Sequence, residues 1–397
     1  MSAYNSIILY FEIRNFLILL VVCLVCFDCS PKSENWSSCE AVEISIFEKL
    51  QELSIQAPDN FGGGIVSMFI FQDSLAYVLP IRPKNKIFIF DLNGNKVIEE
   101  IELDQNFIDY PSGIQVISND SIFISEDKIP IIYLISSAGE VLNSYNLYRE
   151  DLWEMPIEDF SNFALFYGLG RTFVYVPSRN SFFFPLKQVD LWYFIKRKKD
   201  FPTFGEYSLD LQNFTGLYGK YPGIYSATEN HLLPFYLSHP VMEVVKDRVI
   251  FSFRLDPLLY IYDLDGNYLG EKCASMPEFE LGKPLEFSME DYDSEGINSY
   301  NVKNSYFGSF FYVKEKDQYV RIFLECVQDA EGNCQSKKVY ALIFDGSLDL
   351  IAVKLLPSEY DRDFYTFQIG FKSGFLSKSS TKISDDVFSL NEYFELD

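Results

Sequence analysis

Residues 258–267 read Leu258-Leu-Tyr-Ile-Tyr-Asp-Leu-Asp-Gly-Asn267, an aromatic and β-branched run that ends in an Asp-Gly turn. The segment Asp247-Arg-Val-Ile-Phe251 precedes it. Such runs favour strands, and Asp-Gly favours a tight hairpin because both residues tolerate positive φ. Together the segments predict a four-stranded antiparallel meander, with one turn at the Asp, a loop between the middle strands, and a second turn at the Gly.

The same phrase occurs three more times along the chain. Its copies run from Asp73 to Gly94, from Asp120 to Gly139 and from Asp317 to Gly346. The Asp-to-Gly distance is 21, 19 and 29 residues in these copies, and 19 residues from Asp247 to Gly266; the long copy contains a cysteine hairpin. Repetition of one supersecondary unit indicates an array of similar sheets.

The spacing of the turn glycines suggests a blade period. They are 45, 127 and 80 residues apart, which fits multiples of roughly 40–45 residues. One count assigns one, three and two blades to these intervals. The other assigns two long blades to the middle interval and, to the last, one blade with an acidic insertion at 289–295. With a final blade over residues 364–396, the second count gives six blades, and we adopt it.

We therefore predict an all-β fold, a six-bladed β-propeller of four-stranded antiparallel blades. The run Val42-Glu-Ile-Ser-Ile46 alternates apolar and polar residues. We expect it to add a closing strand to the last blade and to cover an open sheet edge there. Residues 40–397 are predicted to form this single propeller domain.

The N-terminus predicts export. Twelve apolar residues, Phe16 to Phe27, precede Asp28-Cys29-Ser30. As a helix they rise about 18 Å, less than a roughly 30 Å hydrocarbon core requires, so they suit a signal peptide better than a membrane span. We predict a signal peptide at 1–28, lipidation at Cys29 and a lipidated tether at 29–39. Alternatives are lipidation at Cys26, cleavage nearby without lipidation, or an uncleaved anchor that starts near Ile7.

Net charge limits the partners. The chain carries 57 Asp and Glu against 33 Lys and Arg, a formal net charge of −24. Such a surface repels phosphate backbones, so we predict no nucleic-acid partner. The predicted location is the cell envelope, facing the periplasm or the surface, with the membrane contacted through the lipid and an unknown protein or glycan as partner.

Chemical motifs are few. Cys326 and Cys334 flank a predicted hairpin loop and are candidates for a disulfide, although buried free cysteines are equally compatible with the sequence. Ser74 and Ser121 follow Asp and precede an aliphatic residue, a pattern that can be O-glycosylated, or that simply starts a strand.

Metal and catalytic signatures are weaker still. The Asp- and Asn-rich turns at 91–95 and 263–267 echo calcium loops but lack the twelfth-position Glu, so we interpret them as hairpin turns. The two histidines, His231 and His239, share one Pro-containing segment. We predict no metal site and no cofactor, and the catalytic residues are unknown.

Several of these segments resemble a known family. Cys29-Ser30, Tyr260-Ile-Tyr-Asp-Leu-Asp-Gly-Asn267, Tyr319-Val-Arg-Ile322, Val339-Tyr-Ala-Leu-Ile-Phe-Asp345 and Phe367-Gln-Ile-Gly-Phe371 are similar to the Bacteroidetes lipoprotein propellers catalogued as domain of unknown function 4221 (DUF4221), which are TolB-like. The resemblance covers most of the chain. It implies a lipidated cysteine followed by six blades, and it supplies no catalytic residues.

The functional expectation follows from these observations. A propeller offers a broad, rigid loop face, so we expect a membrane-anchored binding or scaffold module for an unknown ligand or protein, without enzymatic activity. The alternative is an exported hydrolase or lyase that acts on glycans or lactones through channel carboxylates and a metal. That alternative requires acidic residues on several inner strands, whereas the identifiable inner strands, such as Gly113-Ile-Gln-Val-Ile117, are mostly apolar.

Overall fold

The computed structural model describes residues 39, 41–46, 51–56, 61–94, 96–126, 129–147, 173–186, 202–223, 231–232, 240–282, 285–286, 304–330, 334–356, 368–377 and 387–396. The chain divides into two compact units, residues 1–39 and 40–397, and the fold below is that of the second. None of the helical residues in the described part forms a helix of the length and hydropathy that a bilayer crossing needs. The predicted signal peptide, Cys26 and Cys29 lie outside the described residues.

Strands account for most of the described structure. In chain order they are β1 (Ile44–Ile46), β2 (Gln51–Gln56), β3 (Gly62–Phe71), β4 (Leu75–Arg82), β5 (Lys86–Asp91), β6 (Lys96–Glu102), β7 (Pro111–Ser118), β8 (Ser121–Glu126), β9 (Ile131–Ile135), β10 (Val141–Asn146), β11 (Val174–Val176), β12 (Ser181–Pro185), β13 (Phe204–Ser208), β14 (Asn213–Tyr218), β15 (His231–Leu232), β16 (Val241–Val245), β17 (Arg248–Ser252), β18 (Leu258–Asp263), β19 (Tyr268–Cys273), β20 (Leu285–Glu286), β21 (Tyr306–Val313), β22 (Gln318–Gln328), β23 (Cys334–Phe344), β24 (Leu350–Leu355), β25 (Gln368–Phe371), β26 (Gly374–Ser377) and β27 (Val387–Glu395).

These strands pair as antiparallel meanders. Three separate four-stranded sheets are β7 to β10, β11 to β14 and β16 to β19, and β21 to β24 form a fourth that β1 extends. The strand β3 lies beside β7, β16 beside β21 and β21 beside β25, so first strands of successive meanders adjoin each other. The predicted all-β propeller of four-stranded antiparallel blades is confirmed.

The predicted number of six blades is wrong: the described residues form five. The reason lies in the largest sheet of the described residues, which has eight strands in the order β25-β26-β27-β2-β6-β5-β4-β3, while β15 and β20 form a separate two-stranded sheet. A parallel bridge between Gln56 and Lys96 joins its two meanders edge to edge. Repeats counted along the sequence cannot reveal such a join, because it depends on where the N-terminal segment pairs.

The predicted closing strand is also misplaced. Val42–Ile46 was expected in the last blade, but β1 within it pairs in parallel with β24, as Ile44 opposite Val353 shows. The closing strand is β2, which pairs antiparallel with β27 from Gln51 opposite Tyr393 onward. The segment at 42–46 has the more regular apolar alternation, but β2 forms the longer ladder of backbone hydrogen bonds. Such hydrogen bonds pair a sheet edge whatever its side chains are, so β2 is the closing strand.

The repeated turns follow from backbone chemistry. The first turn of a meander contains a residue of positive φ at Asp73 (52°), Asn180 (46°), Lys246 (57°), Asp317 (50°) and Lys372 (49°). Asp and Asn tolerate this region better than other side chains, which fits Asp73 and Asp317, whereas Asp120 of the second copy does not adopt positive φ. In the third sequence copy the positive φ belongs to Lys246, one residue before the predicted Asp247.

In the second turn of a meander, the side chain of the first turn residue accepts a backbone hydrogen bond that closes the turn. Asp91, Ser136, Asp263 and Asp345 each accept the N–H two residues ahead, at 3.0, 3.2, 3.0 and 2.9 Å. Positive φ follows at Gly139 (81°), Gly266 (79°) and Leu348 (66°). Gly94, which occupies the same position in the first copy, does not adopt positive φ. In the last copy the equivalent residue is Leu348 and not Gly346.

Aromatic rings fill the space between neighbouring sheets. Phe123 of β8 meets Phe182 of β12 edge to face at 4.8 Å. Phe204 of β13 lies 5.1 Å from Phe251 of β17. Edge-to-face and offset pairs of this kind add to the free energy gained by burying the rings. The aromatic excess of the sequence therefore serves packing between sheets.

Candidate functional site

Arg321 organises one end of two adjacent sheets. Its side chain leaves β22 and is fully buried. The guanidinium donates to Ser252 Oγ at 2.9 Å and to the carbonyls of Phe253 (2.8 Å), Asp256 (2.7 Å), Pro257 (3.2 Å) and Ala274 (2.9 Å). The guanidinium carbon also lies 3.4 Å from the centroid of the Phe307 ring.

This arginine therefore fixes the loop at 253–257 that connects β17 and β18. A buried guanidinium is tolerated only when its donors are satisfied, and five hydrogen bonds meet that condition. Because three of the acceptors are backbone carbonyls of this loop, the contact constrains the course of the loop and not merely one side chain. The loop in turn carries Arg254 and Asp256.

Asp256 is turned toward β18, the strand that follows it in the chain. Its carboxylate accepts the N–H of Leu258 at 2.9 Å and the hydroxyl of Tyr260 at 2.8 Å. Burial raises the pKa of Asp256, while these two hydrogen bonds and the nearby Arg321 oppose that rise. The carboxylate thus has a structural role at the start of β18.

Two further cations lie at one aromatic ring. The guanidinium carbon of Arg254 is 5.8 Å from the centroid of Tyr306. The Lys337 Nζ is 5.3 Å from the same centroid and donates to the carbonyl of Asn304. Burial lowers the pKa of Lys337 to about 8. We call Arg254, Tyr306 and Lys337 the Tyr306 cluster, and it joins the β16 to β19 sheet to the β21 to β24 sheet.

A disulfide closes the strand pair that carries Lys337. The structure bonds Cys326 to Cys334, with the Cα atoms 5.4 Å apart, within the usual disulfide range. Cys326 stands opposite Lys337 in the ladder of β22 and β23. The sequence suggested this pair alone, but Cys39 and Cys273 are also disulfide-bonded. Cys273 ends β19 and Cys39 lies far from it in sequence, so spacing gave no signal for them.

The turn network around Arg179 is a second charged group that sequence reasoning missed. Arg179 donates to the buried Glu206 at 2.8 Å and to Asp265 at 2.7 Å. Tyr218 also donates to Glu206, at 3.4 Å. These contacts raise the pKa of Arg179 further above its ordinary value and connect the β11 to β14 sheet to the β18–β19 turn.

The segment at 263–267, which echoes calcium loops but was interpreted as a hairpin turn, is built as such a turn. Asp263 accepts the backbone N–H of Asn267 at 2.8 Å and its side-chain amide at 2.9 Å. The side-chain amide is the main cause that lowers the pKa of Asp263. With Asp265 bonded to Arg179, both carboxylates take part in turn and inter-sheet contacts. In the described part of the chain, no three His, Cys, Asp or Glu side chains are grouped to hold a metal ion.

The other predicted positions are scattered. Ser74 lies in the turn between β3 and β4 and Ser121 begins β8; both are half-buried, and neither belongs to the Tyr306 cluster. His231 lies in β15, and His239 is outside the described residues. The buried polar residues on first strands in the described part are Ser67, Ser112, Gln115 and Glu243, of which one is a carboxylate.

Sequence reasoning could have found Arg321 but not Lys337. Arg321 interrupts the apolar run Tyr319-Val-Arg-Ile-Phe-Leu324, and a charge in such a strand indicates a buried, bonded group. Lys337 stands in the polar run 335–338, where nothing distinguishes it from Lys338. Its burial depends on Asn304 and Tyr306, which are distant in sequence.

Solved structures share this fold. A member of the DUF4221 family from Bacteroides vulgatus ATCC 8482 is similar with a TM-score of 0.65 and 12% sequence identity, over 88% of this chain and 98% of that one. A candidate exported protein from Bacteroides fragilis NCTC 9343 is similar with a TM-score of 0.50 and 9% identity, over 86% of each chain. No protein-family model and no curated protein matches the sequence. The resemblance to the DUF4221 propellers is thereby confirmed at the level of the fold.

Proposed function

We propose that this protein is an exported, membrane-anchored propeller that acts as a binding module and not as an enzyme. The observation that carries the proposal is that buried charged side chains bond to loops or to each other. Arg321 holds a loop, Glu206 holds Arg179, and Glu126 accepts the backbone N–H groups of Asp109 at 3.1 Å and Tyr110 at 2.7 Å. Charges bonded in this way stiffen a surface but are not poised for proton transfer.

Rigid sheets with fixed loops suit recognition. Binding costs less when the contacting groups are already held in place, since less side-chain and loop entropy is lost. Arg321 and Glu126 hold connections between strands at the loops that they contact. The described first strands add one buried carboxylate, Glu243, whereas the alternative hydrolase or lyase needs two or more acidic groups around a reacting bond.

A ligand screen with two readouts tests the binding role. The full chain is incubated with envelope polysaccharides and their oligosaccharides, and both the melting temperature and the products are measured. A ligand that raises the melting temperature and is recovered unchanged supports a binding module. Cleavage of any of these compounds by the wild-type chain would replace it with the hydrolase or lyase alternative.

The anchor is tested separately. We expect Cys29→Ala to abolish incorporation of labelled acyl chains and membrane fractionation, while Cys26→Ala leaves both intact. Stable anchoring requires more than one acyl chain, since a single chain binds membranes only reversibly. Retention of label by Cys29→Ala and its loss in Cys26→Ala would move the anchor to Cys26. Retention in both variants would overturn the lipid anchor.

A further inference from the structure

The turn between β5 and β6 contains Asn93-Gly94, the one Asn-Gly pair in the sequence. Both residues are exposed. In an Asn-Gly pair the backbone nitrogen of the glycine can attack the preceding side-chain amide, because glycine has no side chain to hinder the approach. The turn therefore presents a reactive pair at an accessible position.

The backbone nitrogen of Gly94 differs from its counterparts in the equivalent turns. There the N–H groups of Gly139, Gly266 and Leu348 donate to the carbonyl of the first turn residue, at 3.0, 3.1 and 2.9 Å. Within the described part of the chain, the N–H of Gly94 makes no hydrogen bond of this kind. A bonded N–H must lose its hydrogen bond before its nitrogen can react, so Gly94 is the least hindered of the four.

A lysine from the last meander contacts the reactive amide. Lys372, in the turn between β25 and β26, donates from Nζ to Asn93 Oδ1 at 3.1 Å. Attack by the Gly94 nitrogen on the amide carbon places negative charge on Oδ1, and a cation already bonded to that oxygen stabilises the charge. The same contact connects the first meander to the last, so a chemical change at Asn93 alters a contact between the two ends of the fold.

We infer that Asn93 is a site of spontaneous deamidation, which Lys372 assists. The Gly94 nitrogen bonds to Asn93 Cγ, the bond from Cγ to the side-chain nitrogen breaks, and the Gly94 proton passes through solvent to that nitrogen, which leaves as ammonia. One water molecule then opens the five-membered succinimide ring. Cleavage at Cγ gives aspartate at position 93, and cleavage at the backbone carbonyl carbon gives isoaspartate.

The two products differ in their effect on the contact with Lys372. Aspartate keeps the backbone unchanged and offers the lysine a carboxylate in place of an amide, which makes a stronger hydrogen bond. Isoaspartate adds a methylene group to the backbone of a tight turn and carries its carboxylate directly on Cα. It therefore moves the carboxylate away from Lys372 and loosens the contact between the first and last meanders.

The test follows the folded full chain at pH 8 by peptide mass spectrometry, with isoaspartyl methyltransferase labelling. We expect Asn93 to react at a rate within threefold of that in the chain unfolded by guanidinium. The internal control is Asp265-Gly266, which can form the same ring by losing water. Because Asp265 is bonded to Arg179 at 2.7 Å and the Gly266 N–H is also bonded, folding should slow isoaspartate formation there at least tenfold.

Variants test the two participants. Asn93→Gln should abolish the early product, since glutamine would have to form a larger ring. Lys372→Met should slow the reaction at Asn93 at least threefold. The matched control is Lys246→Met, which removes a lysine of positive φ from the equivalent turn of another meander and should leave the rate at Asn93 unchanged.

Hydrogen exchange reads the consequence. The isoaspartate form should exchange faster than the fresh chain in β5–β6 and β25–β26, whereas the Asn93→Asp variant should not. Folding that protects Asn93 as strongly as Asp265, an early product that persists in Asn93→Gln, or an unchanged rate in Lys372→Met would each overturn the inference. Equal exchange in the isoaspartate form and the fresh chain would overturn its effect on the contact between the meanders.

Discussion

Gly266 shows why a turn position can require glycine for two reasons at once. Its φ is 79°, and a Cβ at this position would overlap the ring of Tyr218 from the preceding sheet. We expect Gly266→Val to lower the free energy of unfolding by about 1–3 kcal/mol, through backbone strain and this overlap. Denaturant unfolding measures the effect.

Gly94→Val provides the matched control. Gly94 lacks positive φ, and its Cβ would meet mainly the carboxylate of Asp91, at 2.5 Å, which can shift at the cost of its hydrogen bond from the Asn93 N–H. We expect less than about 1 kcal/mol of destabilisation there. A chelator should leave the melting temperature of the wild type unchanged, because turn donors occupy Asp263. Equal losses in both glycine variants, or a large chelator effect, would contradict this account.

Lys337 makes the stability of the protein depend on pH. Its pKa in the folded state is about 8, below the ordinary value of 10.5, so between these values the unfolded chain binds more protons. Wild-type stability should therefore rise as pH increases through 8. We expect Lys337→Met to remove that rise between pH 7.5 and 9.5 and to gain about 1 kcal/mol at pH 7, allowing for partial exposure.

Among the described residues named here as neighbours of Lys337, none titrates in this window. Arg254 stays charged, Cys326 is in a disulfide, and tyrosines such as Tyr340, whose pKa burial raises, ionise at higher pH. Thermal unfolding of the wild type, Lys337→Met and Lys338→Met across this range measures the effect. A slope that persists in Lys337→Met, or vanishes in Lys338→Met, would assign the pH dependence to another group.

At the scale of the element, the hairpin of β22 and β23 depends on its covalent closure. The Cys326–Cys334 bond closes a loop with a sequence separation of 8 residues. By the chain-entropy estimate, its removal in a Cys326→Ser, Cys334→Ser double variant costs about 2–3 kcal/mol. Gln335→Ser, an exposed position on the same strand, is the matched control. Urea unfolding without reductant measures both, and equal midpoints would contradict the estimate.

The elements divide clearly into those that sequence predicts and those that it does not. Turns were predictable because their chemistry is local: Asp263 closes its own hairpin and Gly266 supplies positive φ. The pairing of β2 and β1 was not, because a strand's partner depends on distant segments. Leu348 shows the limit even within a turn, since in the last copy a buried leucine adopts the positive φ that the sequence pattern assigned to Gly346. The burial of Lys337 could not be predicted for the same reason as the pairing of β2, because both depend on segments that are distant in sequence.

On the scale of the whole molecule, the N-terminal segment determines how the ends of the chain are held. The strand β2 pairs with β27 along its length and touches β6 at one bridge, so it connects the first meander to the last. The strand β1 only extends the outer edge of the sheet that ends in β24. Loss of the β2 ladder should therefore affect two meanders, and loss of the β1 ladder only one.

Proline substitutions distinguish these roles, because proline removes a backbone donor from a ladder. We expect Leu53→Pro with Ser54→Pro to lower the free energy of unfolding by about 3 kcal/mol or more, and to accelerate hydrogen exchange in both β3–β6 and β25–β27. Adjacent prolines are used since alternate N–H groups of a strand point to opposite sides.

The matched control is Ser45→Pro in β1, for which we expect a smaller loss and faster exchange confined to β24 and its neighbours. Hydrogen exchange with mass spectrometry reads every sheet in one experiment. If the β2 variant exchanged faster only at β27, the join at Gln56 and Lys96 would contribute nothing to the closure. If the β1 variant were the more damaging, residues 44–46 would be the closing segment after all, as their alternation first suggested.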